Sequence, residues 1–198
     1  MSTTRKLLPR AERQEAIHQA AARAFGRTGF AATSMEEVAA EAGVTKVLVY
    51  RHVESKESLY RSVLEQTSAS LRQEYLAAAA ESMPDAAIVA HLATARADPD
   101  GYRLLFVHAE REPEFAGYAA EIMGLLVAVA DELFGQVVPS HLRHWATRLT
   151  TTMLVHAVLG WMESGDAAHD AEFRQRTAAG LAAFVGQIID DSPPESSR

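Results

Sequence analysis

The sequence predicts an all-α fold of about nine helices, and three observations carry that reading. Apolar residues recur at spacings of three, four and seven, as in Ala16, Ala20, Ala24 and Phe25 and again in Phe173, Leu181, Phe184, Ile188 and Ile189. No stretch alternates apolar and polar residues for long enough to make a strand. Helix punctuation recurs at helix-length intervals, as Ser or Thr followed three residues later by Glu and as regularly placed prolines. With 48% of 198 residues hydrophobic, the chain can also bury a real core.

The elements follow in order. A first helix spans roughly 10–27, with Gly29 as its stop signal. Thr33 or Ser34 can then cap a second helix over 35–42, each with a Glu three residues on, and Gly43 ends it. Thr45 caps a third helix over 46–52 and Ser55 a fourth over 56–81, with Leu59, Val63, Leu71 and Tyr75 available for one side. Pro84, Pro99, Pro113 and Pro139 stand near helix starts, where a missing N–H costs nothing. They give helices over 84–97, 100–111, 114–136 and 140–164, and a last helix covers 169–190. The expected organisation is a small head over 1–56, a helical body over 57–190 and a disordered tail over 191–198.

Composition excludes several classes. The chain has no Cys, which removes disulfides, Cys-ligated zinc and thiol catalysis and fits a reducing cytoplasm. The opening MSTTRKLLPR is too short and polar for a signal peptide, and MLVHAVLGWM at 153–162 is about half of a membrane span. His141 and His144 are spaced as metal ligands can be, but no third ligand is evident, and no metal or cofactor is expected. Net charge is −7, yet residues 1–56 carry nine Lys and Arg against six Asp and Glu. A basic head on an acidic body can meet a polyanion, because phosphate attraction acts locally and is screened within about 8–10 Å.

The stretch EEVAAEAGVTKVLVYRHVESKESLY, residues 36–60, places Lys46, Tyr50, Arg51, His52 and Lys56 where two short helices meet. A tight helical hairpin needs a small residue at the crossing, a left-handed backbone in the turn and an apolar residue pointing back. Ala39, Gly43 and Val49 supply these, with Val38, Ala42 and Val44 filling the rest. Such a helix-turn-helix sends its second helix into the major groove. On its outward face Lys46 can donate to guanine O6 or N7, and Val47 and Leu48 can meet a thymine methyl. Tyr50, His52, Lys56, Thr33 and Ser34 can donate to phosphate oxygens. The competing reading is a solvated helix face with incidental charge; donors at both ends of one hairpin argue against it.

The run TSMEEVAAEAGVTKVLVYRHVESKESLY resembles the DNA-binding domain of the TetR family of transcriptional repressors. Thr33, Ser34, Val38, Ala39, Ala42, Gly43, Val44, Thr45, Tyr50, His52, Ser55, Lys56 and Leu59 match the family pattern. The resemblance implies that Thr33, Ser34, Tyr50, His52 and Lys56 hold the DNA backbone, while Met35, Thr45, Lys46, Val47 and Leu48 lie where base-facing residues fall. Three departures stand out: Val47 where Gly is common, Leu48 where Thr or Pro is common, and Val53 where Phe is usual.

In the body, Met153, Val155, Val158, Leu159, Trp161 and Met162 make the 140–164 helix apolar on more than one side, so it is buried all round. The resemblance implies a four-helix dimer interface from the last two helices, here Val155, Val158, Leu159, Met162, Leu181, Phe184 and Ile188. A single head also contacts too little DNA for tight specific binding, which independently favours a homodimer. A larger intramolecular core is the alternative. The resemblance further implies a pocket for a small, largely apolar effector. Tyr102, Phe106, Trp145, Leu149 and Met153 are its candidate lining, with Arg103, His108, Glu110 and His156 as polar handles. The leading expectation is a ligand-responsive repressor on a palindromic DNA operator. An all-helical enzyme carrying a similar hairpin, or a regulator without a small ligand, are the alternatives; no nucleophile motif or phosphate loop favours the enzyme.

Overall fold

A computed structural model describes residues 10–190, which fold into nine α-helices with no strand among them. The opening segment and the 191–198 tail, read from sequence as lacking a leader and order respectively, lie outside the described residues.

Helix α1 (Arg10–Ala32) buries Ile17, Ala20, Ala21, Ala24 and Phe25. Gly29 does not stop it. The backbone there turns to φ 81°, ψ 167°, a region open in practice only to glycine, and one more turn follows the kink. Helix α2 (Met35–Glu41) is capped by Ser34, whose Oγ accepts from Glu37 N–H while the Glu37 carboxylate accepts from Ser34 N–H. Helix α3 (Lys46–Tyr50) is capped by Thr45, and α4 (Lys56–Ala80) by Ser55. Helix α4 runs out of the head and packs most extensively on α5 (Ala86–Ala97).

One helix was expected over 100–111. Instead α6 (Pro99–Arg103) passes into a π-helical turn over Leu104–His108 and a 3₁₀ turn over Ala109–Arg111. That winding serves two cores. Leu104, Leu105 and Ala109 join the head cluster of Ile17, Phe25, Val38, Val49, Leu59 and Tyr60. Tyr102 joins a second cluster with Ile88, Ala95, Leu154 and Val158, and Phe106 packs against both. The hydrophobic core therefore runs across residue 56, the end of the expected head.

Helix α7 (Ala116–Phe134) is apolar but poorly covered: Ala130 is buried, while Leu125 and Leu133 are more than half exposed. Helix α8 (Ser140–Ser164) and α9 (Asp170–Asp190) close the body. Two ion pairs strap α9 to α5, Arg96–Asp170 at 2.6 Å and Arg174–Asp85 at 2.9 Å. No described helix is long and apolar enough to cross a membrane.

Candidate nucleic-acid interface

The hairpin is built from its turn outward. After α2, Gly43 takes φ 63°; its N–H donates to Ala40 O at 3.0 Å, and Val44 N–H donates to Ala39 O at 2.9 Å. These two bonds form a Schellman stop, which needs a left-handed residue at Gly43. The chain then enters α3 with Val49 fully buried and Val44 and Val53 packed on the core beneath. Arg23 and Arg27 of α1 grip Glu41 at 2.8 and 3.0 Å, holding α2 in place and keeping that carboxyl below the usual range.

With α3 anchored through Val49, its other residues face out. Thr45, Lys46 and Tyr50 are exposed, Leu48 is half-buried, and Val47 is 72% exposed. The Lys46 ammonium pairs with Glu36 across the hairpin and stands 5.7 Å above the Tyr50 ring. That contact raises Lys46 above its ordinary value and lowers Glu36 below its own. Ser34 and His52 are half-buried at the margins of the same surface.

Three residues expected at the DNA surface lie beneath it. Met35 is 4% exposed and belongs to the head core, because the first turn of α2 lies against α1. Thr33 is 2% exposed, and its hydroxyl bonds the carbonyl of Gly29 at 2.7 Å and the Thr28 hydroxyl at 2.7 Å. Lys56 turns inward. Its Nζ donates to the carbonyls of Phe30 (2.9 Å), Thr33 (3.1 Å) and Ala31 (3.2 Å) and sits 4.5 Å from the Phe30 ring.

Thr33 and Lys56 thus hold together the knuckle that Gly29 creates. The kink frees the N–H of Phe30, which donates to the Glu112 carboxylate at 2.9 Å. Glu112 lies in the body, between the 3₁₀ turn and α7. Beside it Phe115 stacks on Tyr60 at 4.2 Å and meets Phe30 edge-on at 5.0 Å. Burial pushes the Tyr60 phenol up, with the Glu112 charge adding to it. The knuckle carrying α2 is therefore bonded on one side to the body and on the other to the start of α4. No local sequence signal marks Glu112 or Phe115, since their partners lie far away along the chain.

Residues 17–63 match the sequence family described as bacterial regulatory proteins, tetR family. The matched segment runs from the first helix into the fourth and takes in the whole hairpin. The chain is also similar to two curated relatives. It is 43% identical over 54 residues to the HTH-type transcriptional regulator YerO of Bacillus subtilis, a match covering 27% of this chain and 19% of that one. It is 35% identical over 113 residues to the HTH-type transcriptional activator FasR of Mycolicibacterium smegmatis, covering 50% of this chain and 48% of the other. These matches span at most about half the length of either relative. A TetR-like transcriptional regulator from Rhodococcus sp. RHA1 has the same fold, with TM-score 0.77 at 17% identity over 94% of this chain and 100% of that one.

In the body of the chain, several residues named for a pocket face outward, and several named for an interface lie in the core. Tyr102 is buried with its hydroxyl 2.7 Å from His91 Nδ1, and Phe106 lies against its ring at 4.7 Å. Burial holds the His91 imidazole down at about 4, so it is neutral at physiological pH. The α8 residues do not join them. Trp145 is 51% exposed, Met153 38% exposed and His156 exposed, with Leu149 half-buried on the same outward face. Arg103 pairs with Glu163 at 3.1 Å, and Glu110 faces solvent. His108, half-buried, is pushed down by burial and by Arg111 and Arg103.

Conversely, Val155 and Val158 are fully buried, and Leu159, Met162 and Leu181 pack on the second core rather than on an open surface. Phe184 and Ile188 are half-buried, and the Phe184 ring lies 5.9 Å from Trp145. The reason is a set of threonines. Thr147, Thr150 and Thr151 are buried, with their hydroxyls bonded to the carbonyls of Arg143, Ala146 and Thr147 at 2.9, 2.8 and 2.8 Å. Satisfied in that way, they belong to the inner face, and the outer face of α8 is one of Trp145, Leu149 and Met153. An open groove of about 610 Å³ lies elsewhere, between the start of α5 and α9, lined by Pro84, Asp85, Arg174 and Ala178.

Proposed function

We propose that this chain is a ligand-responsive transcription regulator that binds a palindromic operator as a homodimer and reads it with α3. The observation that carries the reading is the outward face of α3. Val47 is 72% exposed between Lys46 and Leu48, an apolar side chain with no use in the free head and a natural one against a thymine methyl. Thr45, Lys46, Val47 and Leu48 are the base-facing set, and Ser34, Tyr50 and His52 are the phosphate set. Met35, Thr33 and Lys56 support that surface from below.

The two copies meet through the outer face of α8 and the adjoining side of α9, with Trp145, Met153, Phe184 and Ile189 at the seam. Exposed Trp145, with exposed Met153 two turns on and the Phe184 ring against it, makes an apolar patch that a second copy would cover. A small, largely apolar effector bound in the body would act on the head through Glu112 and Phe115, which bond the knuckle before α2. Release of DNA by effector is the simplest mode. FasR is an activator, and the same head could serve either sign of control. Effector and operator must weaken each other by one common factor.

Selection of duplexes from a random pool tests this reading. The expected product is a palindrome whose half-sites are about 34–36 Å apart, or a multiple of that. A pool that yields no enriched duplex would end the proposal.

A further inference from the structure

Glu36 is neither the cap nor a core residue of α2, although its carboxylate also meets its own backbone N–H in the first turn. Ser34 and Glu37 make the capping box, and Val38 and Ala39 fill the core. The Glu36 carboxylate reaches ten residues along the chain to the ammonium of Lys46, the first residue of α3. Both side chains are open to solvent, at 63% and 45%, so the pair contributes little to folding. It does stand at the mouth of the hairpin, on the residue best placed to reach a guanine. We propose that Glu36 is a specificity-determining residue that acts through Lys46, withholding the ammonium from phosphate and yielding it to guanine. This rests on the reading of α3 as the base-contacting helix.

The physical logic is one of exchange. A free lysine on this surface gains on any duplex, because each phosphate it neutralises releases a counterion. That gain carries no sequence information. A lysine already neutralised by Glu36 gains little from a phosphate, since one anionic partner replaces another and leaves Glu36 facing the backbone with like charge. Guanine O6 and N7 offer two acceptors inside the groove, away from the phosphate line. There the exchange favours DNA. Glu36 therefore weakens binding everywhere, and weakens it most where guanine is missing, which is discrimination by a repulsive element. Its carboxyl is held below the usual range by the Lys46 hydrogen bond, so it is ionised wherever the protein would bind DNA.

The test uses the full chain with Glu36→Gln, Lys46→Ala and the double variant, and Glu37→Gln as a control. Glu37→Gln removes the same charge one residue on, and Gln can keep the capping box. Fluorescence anisotropy would give affinities for the duplex enriched by selection and for a scrambled duplex of equal length, across a range of salt. Glu36→Gln is expected to tighten scrambled DNA several-fold at low salt and to steepen its salt dependence by about 0.9 per head. Binding to the enriched duplex should tighten less, so the ratio of the two affinities falls several-fold. In the Lys46→Ala background the ratio should not respond to Glu36 at all, and Glu37→Gln should shift both duplexes alike. The proposal is overturned if Glu36→Gln leaves the ratio unchanged or raises it, or if it changes the ratio equally without Lys46. A chain that enriches no duplex removes the DNA-reading function and this inference with it. A chain that enriches one, with a ratio indifferent to Glu36, removes this inference alone.

Discussion

Replacing Lys56 with Met removes one ammonium and keeps its stem, and the structure fixes what that loss should do. An ammonium has three N–H donors, and here all three reach backbone carbonyls, at 2.9, 3.1 and 3.2 Å. Those carbonyls belong, in that order, to Phe30, Thr33 and Ala31, where the kinked end of α1 has no further turn to receive them. A hydrogen bond to a charged group contributes about 1.5–3 kcal/mol when buried. Lys56 is half-buried, so the three together are worth about as much as one such bond, roughly 2 kcal/mol. The contact with the Phe30 ring adds about 0.5 kcal/mol. Urea unfolding of Lys56→Met, followed by far-UV circular dichroism at fixed protein concentration, should show a loss of about 2–3 kcal/mol. The salt dependence of DNA binding should fall by less than the roughly 0.9 that a phosphate-bound lysine contributes. An unchanged unfolding midpoint with a full unit lost from the salt slope would refute the structural role and return Lys56 to the phosphate set.

Three further outcomes are expected. His91 is held neutral at about 4 in the folded chain and is near 6.5 when unfolded, so its contribution is complete above pH 6.5 and lost as pH falls toward 4. Between pH 6.5 and pH 5 the loss is about 2 kcal/mol, and His91→Phe should remove that part of the pH dependence in unfolding experiments. Trp145→Glu and Met153→Glu should sediment as folded monomers, whereas Val158→Glu places a charge in the intramolecular core and should unfold the body; the opposite pattern would reinstate the inner face of α8 as the interface. Glu112→Ala leaves the Phe30 N–H without its acceptor, and hydrogen exchange at that amide should quicken about tenfold, equivalent to about 1.4 kcal/mol. An unchanged exchange rate would mean the body does not hold the knuckle.

Much of the fold could be read because its signals are local. Ser34, Thr45 and Ser55 cap helices through side chains bonded three residues on, and Gly43 marks a turn that no Cβ-bearing residue takes easily. The irregular end of α6 was not legible, because its winding answers to two cores built from distant helices. The hairpin gave α3 correctly, but Thr33, Met35 and Lys56 were read by residue type, as a hydroxyl, a base-facing position and a cation. What decides their place is the Gly29 kink, whose freed groups draw Thr33 and Lys56 inward. On α8 the sequence does not say which face turns inward. A helix apolar on both sides offers two assignments, and three threonines that look polar in sequence are buried at little cost by bonding their own helix.

The most direct test of the account is the sequence preference of the wild-type chain beside that of Lys46→Ala, both obtained by selection from one random pool. The account predicts a palindrome for the wild type. Lys46→Ala should relax preference at one symmetry-related position in each half-site, at a cost of about 1–3 kcal/mol there, and leave the other positions as they were. A preference without two-fold symmetry, or one that Lys46→Ala leaves unchanged, would contradict reading of the major groove by a pair of α3 helices.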